Sequence, residues 1–170
     1  MTPLTIKTSI ADHQVAKLAA LAIALHLAEA VLPSPLPGVK PGIANIVTLY
    51  ALHRYGLETA AWVSLLRVFA AGLLFGNFLS PTFILSLSGA LASLALLWLA
   101  IRLPAKYFGA VSHSVLAAFA HIAGQLLVVW LWLIPHSGLL YLVPLFAAAA
   151  LLFGTLNGLV TATLLKKDIA

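Results

Sequence analysis

Residues 139–165 read LLYLVPLFAAAALLFGTLNGLVTATLL, a run without a single Asp, Glu, Lys or Arg. A helix rising about 1.5 Å per residue crosses a ~30 Å hydrocarbon layer in about 20 residues, so this stretch spans a bilayer with length to spare. Backbone exposed to lipid must satisfy its own hydrogen bonds, and the run lacks the period-two alternation of a barrel strand. It reads as a transmembrane helix. Outward from it the chain repeats the pattern in segments at about 15–32, 42–55, 58–75, 82–101 and 111–134. Between them lie helix-breaking or charged punctuation: Pro33-Ser34-Pro35-Leu36-Pro37-Gly38, His53-Arg54-Tyr55-Gly56, Gly76-Asn77-Phe78-Leu79-Ser80-Pro81, Arg102-Leu103-Pro104-Ala105-Lys106 and Pro135-His136-Ser137-Gly138. The expectation is an all-α integral membrane protein, a six-transmembrane-helix bundle forming one membrane domain over residues 1–170.

Composition agrees. Of 170 residues 63% are hydrophobic and 8% charged, and the mean hydropathy is +1.11. Soluble domains run near ~45–50% apolar and ~25% charged, so a water-soluble globule is excluded. The net charge is +5, but the nine Lys and Arg are scattered and not interleaved with aromatics, which argues against a nucleic-acid partner. Cysteine is absent, removing disulfides, thiolate metal sites, Fe–S clusters and Cys nucleophiles together. With both termini inside, the inner side collects Lys7, Lys17, Arg54, Arg102, Lys106, Lys166 and Lys167, and the outer side keeps Lys40. That asymmetry predicts an N-in/C-in multi-pass protein of the cytoplasmic (inner) membrane. Leu18–Leu27 followed by Ala28-Glu29-Ala30 also has the form of a signal peptide, but Asp12 and the long preceding stretch favour a transmembrane helix.

In such a chain the informative residues are polar ones at membrane depth, because each is costly unless partnered or facing a cavity. Counting from the inner ends of the helices, Glu29 stands about 21 Å up and Arg67 about 15 Å. His121 and Gln125, one turn apart on one face, stand at about 15 and 21 Å, and Asn157 at about 12 Å. Asn45 lies near the outer end of the second helix, with Lys40 and Asn77 in neighbouring loops. These eight come from every helix but the fourth and fall between mid-membrane and the outer face, the pattern of an outward-facing polar pocket that takes a small-molecule ligand. A buried Glu29–Arg67 ion pair is an equal alternative to ligand binding for those two, and interhelical hydrogen bonding is the simpler role for Asn157. His26 is as readily structural as functional. His13, His26, His53, His113, His121 and His136 form no metal-binding spacing, and no Walker loop, GxGxxG or local triad occurs. No catalytic residue, metal or cofactor is expected, beyond a ligand held in the pocket.

Small residues form a second signal. Ala16, Ala20, Ala24 and Ala28 repeat every four positions on the first helix, and Gly72-x-x-x-Gly76 and Gly154-x-x-x-Gly158 recur later. Such faces let helices approach closely in lipid, either inside the bundle or against a partner membrane protein.

Three strings resemble one family. Gly38-Val39-Lys40-Pro41-Gly42-Ile43-Ala44-Asn45 resembles the Gly-x-Lys-x-Gly-x-Ala-Asn signature of the Gx transporter family, also labelled heptaprenyl diphosphate synthase component I. Ser64-Leu65-Leu66-Arg67 with Leu74–Pro81 is similar to its third helix and turn, and Ala120-His121-Ile122-Ala123-Gly124-Gln125 to its fifth. Ile122 stands where that family often has Asn, and Pro41 where it has a small or apolar residue. The resemblance implies a likeness to S components of energy-coupling-factor transporters, with the ligand site toward the outer face. It also implies that Ala16, Ala20 and Ala24 meet a transmembrane coupling subunit. It further implies a flavin or an isoprenoid quinone as ligand class. The alternative is a non-catalytic accessory subunit of isoprenoid or quinone-linked flavin electron-transfer machinery, with a redox partner. Prenyl synthases hold Mg²⁺-diphosphate on clustered aspartates, whereas Asp12 and Asp168 sit near opposite ends of this chain.

Overall fold

The computed structural model describes residues 8–31, 40–104 and 106–168. The proline linker 33–38, the first two positions of the Gly38–Asn45 motif and Ala105 lie outside them. The described residues form six α-helices and no strand: α1 Ile10–Val31, α2 Ala44–Tyr55, α3 Leu57–Leu74, α4 Pro81–Ala100, α5 Ala110–Val128 and α6 Val143–Lys167. A π-helical turn, Val129–Leu133, prolongs α5, and a 3-10 segment, Ser137–Leu142, leads into α6.

Local chemistry sets the ends. α1 begins before position 15 because Ser9 and Asp12 cap it reciprocally. The Ser9 N–H donates to the Asp12 carboxylate (2.7 Å) and the Asp12 N–H to the Ser9 hydroxyl (3.1 Å), so two otherwise orphan donors are satisfied. α4 starts at Pro81 with the Ser80 hydroxyl accepting the Phe83 N–H at 3.3 Å. α2 and α3 are joined by Gly56 alone. Its φ of +93° and ψ of 176° fall in a region open essentially to glycine, which permits so abrupt a reversal.

The six helices expected from the sequence are all present, but they are unequal. Five stretches are long and apolar enough to cross a membrane, and α2 is not among them. Its 12 residues cover only about 18 Å of a ~30 Å layer. The short segment read at 42–55 loses only its first two positions, because residues 40–43 are irregular backbone and not a further turn of helix.

α2 nevertheless occupies the middle, touching α1, α3, α5 and α6, while α4 packs on α3 and α5 and α5 on α6. Ala22, Val47, Ala51, Leu52, Ala60, Val63 and Leu97 form the apolar core around α2. α6 lies directly on α5. A Cβ at Gly158 would come within 2.6 Å of the Val111 Cα, and one at Gly154 within 3.0 Å of the Val115 Cα. That small-residue pair is therefore an internal seam. The alanines of α1 are not. The residues α1 buries are Ala19, Ala22 and Glu29, whereas Ala16, Ala20, Ala24 and Ala28 are exposed. The outer surface is dominated by large apolar side chains such as Leu73, Trp98, Leu131 and Leu152, as expected where lipid is the solvent.

The Tyr50 hydroxyl donates to the Asp168 carboxylate, which places the end of α6 beside the end of α2. The Gly42 N–H donates to the Glu29 carboxylate, which places the end of α1 beside the start of α2. The start of α1 and the end of α6 thus share the Gly56 end of the bundle.

Candidate functional site

Asn45 and Arg67 stand eleven residues on either side of Gly56. An α2–α3 hairpin of equal arms brings them to one level, and that level is the floor of a cavity of about 530 Å³. Its size lies within the ~300–1,000 Å³ of small-molecule sites.

The wall beside α2 is built from the irregular stretch 40–43. Gly42 has φ +71°, and a Cβ there would approach the Asn45 Nδ2 to 2.9 Å, so this corner requires glycine. Two helices hold it. The Glu29 carboxylate of α1 accepts the Gly42 N–H, and the Asn157 side chain of α6 donates to the Pro41 and Gly42 carbonyls at 2.9 and 3.2 Å. Asn45 closes the turn, its N–H donating to the Gly42 carbonyl at 2.8 Å. Irregular backbone at membrane depth is tolerated where side chains satisfy it and it lines a cavity, and both conditions hold.

All eight polar residues singled out from the sequence, Glu29, Lys40, Asn45, Arg67, Asn77, His121, Gln125 and Asn157, line this one cavity. Glu29, Arg67 and Asn157 are buried, with 4, 6 and 9% of their surface exposed. The carboxylate of Glu29 lies on the Gly42 N–H, and no Glu29–Arg67 pair within 4.0 Å forms. Among the described residues the Arg67 Nε has no hydrogen-bond partner. His121 rests against the bare backbone of Gly89, where a Cβ would fall 2.6 Å from the imidazole. The close approach of α4 to α5 thus positions the ring.

Other lining residues escaped the sequence reading. α4, from which the sequence singled out no residue, contributes Thr82, Phe83 and Ser86. Thr82 and Ser86, one turn apart at the start of an apolar helix, were the available signal. His26 lines the cavity as well. Phe75, Phe83, Phe146 and Phe153 supply an aromatic wall, invisible in advance because aromatic residues are ordinary in apolar helices. Phe83 is held by Phe78 and Phe69, with ring centroids 4.9 and 5.4 Å away, and by Gly72, whose missing side chain leaves the ring its place.

Beneath the floor lies a second chamber of about 30 Å³, room for roughly one water. Thr48, Ser64, Ser93 and Ser114 line it, and Asn45, Arg67, His121 and Asn157 border both spaces. Further toward the Gly56 end, the His113 Nδ1 and His53 Nε2 lie 3.2 Å apart. Among the described residues no three His, Cys, Asp or Glu side chains gather as a metal site would require.

These features define a class: a multi-pass α-helical membrane protein enclosing a cavity with a polar floor and an aromatic wall. The chain belongs to the heptaprenyl diphosphate synthase component I family, which matches residues 18–164. The family description names one component of a larger assembly, which fits a membrane-associated subunit with a protein partner. No curated protein and no solved structure matches the chain.

Proposed function

We propose that this protein is the small-molecule-binding subunit of a membrane transport assembly, S-component-like, with its cavity opening to the outer face of the cytoplasmic membrane and both termini inside. The observation that carries this reading is convergence. Polar residues from α1, α2, α3, α5, α6 and two loops meet around one cavity of about 530 Å³. Polar groups at membrane depth that served only to join helices would be distributed over several interfaces. The aromatic wall suits a flat or polyisoprenoid body, so a flavin or an isoprenoid quinone is the ligand class of choice. The exposed alanine face of α1 supports docking of a transmembrane coupling subunit on Ala16, Ala20 and Ala24, since no described helix covers it.

The family description favours a second reading, an accessory membrane subunit of an isoprenoid synthase or of quinone-linked flavin machinery. In that case the cavity would hold the product or redox carrier of a catalytic partner. Native mass spectrometry of the detergent-purified protein tests both. A retained flavin or quinone, released by mutation of floor residues, is the expected result. Retention of phospholipid alone would refute a dedicated ligand site.

A further inference from the structure

The charges lining the cavity do not balance. Lys40 and Arg67 are fixed cations and Glu29 is the carboxylate among the lining residues. Glu29 is already engaged with the Gly42 N–H, at the approach to α2. Arg67 is 94% buried by its 6% exposure, lines both the cavity and the chamber below, and leaves its Nε without a partner. A guanidinium presents five donors and remains protonated, so in a bundle it calls for acceptors, and among the described residues none meets its Nε.

The start of α2 adds to this demand. It lies at the level of Arg67, part-way into the bundle, where the positive end of its dipole faces the cavity. Its first N–H groups are occupied, Asn45 bonding back to Gly42 and Ile46 to Ile43. The helix therefore contributes its field, and Arg67 contributes the donors. Phe75, Phe146 and Phe153 also line the cavity, with no charge to offer.

We propose that the molecule filling the cavity is an anionic amphiphile: its carboxylate or phosphate group is received by Arg67 at the floor, and its apolar body lies along the phenylalanine wall. This rests on the ligand-pocket reading above and adds the charge of the ligand to it. Electrostatic attraction also orders the steps of binding, since exposed Lys40 at the cavity's edge meets an anion before the buried Arg67 does.

The test compares molecules of shared body and different charge on purified protein in detergent at fixed ionic strength. Farnesol, farnesoic acid and farnesyl diphosphate form one set, riboflavin and riboflavin 5′-phosphate the other. Dissociation constants follow from the ligand-dependent rise in Tm. In the wild-type protein a charged member of at least one set should bind roughly 10- to 100-fold tighter than its neutral twin, the range for hydrogen bonds to a charged group. Farnesoic acid against farnesyl diphosphate separates carboxylate from phosphate recognition. Arg67→Gln should erase the difference between a charged member and its neutral twin, and a cooperative thermal transition reports that the variant is folded. If Arg67→Gln does not fold, Arg67→Lys carries the test, because it keeps the charge, loses the planar fork and should weaken the charged members alone. Equal binding of charged and neutral members by the wild type, or an advantage that survives at position 67, overturns the anion site and leaves the pocket reading standing. No shift from any of the five compounds overturns both.

Discussion

Asn157 shows how a costly side chain is used at membrane depth. Its amide is committed to two carbonyls of the stretch before α2, so it secures irregular backbone more than it joins helices. Replacing it by alanine strands both acceptors away from water, for which the expected cost is about 1–3 kcal/mol. Thermal unfolding of Asn157→Ala in detergent should show this as a clear fall in Tm. An unchanged Tm would mean that the stretch is held by Glu29 alone. The polarity of Asn157 was legible from its place in a charge-free run; its partner was not, because Pro41 and Gly42 lie more than a hundred positions away. The same limit explains Glu29 and Arg67. Opposite charges at similar height invite pairing, yet a backbone N–H took the carboxylate, and no sequence pattern announces a backbone competitor.

At the scale of the element, α1 and α2 depart most from ordinary transmembrane helices. α1 buries Ala19, Ala22 and Glu29 and leaves its four-residue alanine stripe uncovered. Four-residue spacing gave the face; whether that face turned inward depended on which helices packed on α1. Because the stripe is exposed, Ala16→Leu with Ala20→Leu should leave Tm in detergent within about 0.5 kcal/mol equivalent of wild type. Co-purification with a transmembrane partner, and the transport that depends on it, should be lost. A large fall in Tm would mean that those positions are packed within this chain, where overfilling costs about 1–3 kcal/mol per site. The limits of α3 and α4 were legible to within a residue or two, since Gly56 and Ser80-Pro81 act locally. The second segment already read as short, at 42–55; its start at Ala44 in place of Gly42 was not legible, since Gly42 and Ile43 are as apolar outside a helix as within one.

For the whole molecule, the positive charges order the ends. Tyr107, between α4 and α5, and Ser137, between α5 and α6, are both exposed and belong to opposite ends of the bundle. In the cysteine-free chain, Ser137→Cys should react with a membrane-impermeant maleimide in intact cells, and Tyr107→Cys only after lysis. The reverse pattern would invert the proposed orientation and place the cavity mouth in the cytoplasm. One feature of the fold also governs how the protein is made. A 12-residue helix too short for the bilayer is a poor signal for insertion by itself, and it is tied to α3 through a single glycine. The expected consequence is that the two enter the membrane as one hairpin. Until α6 arrives with Asn157, the carbonyls of Pro41 and Gly42 lack its side-chain donor, so a helix made after α5 completes a pocket whose wall α1 and α2 begin.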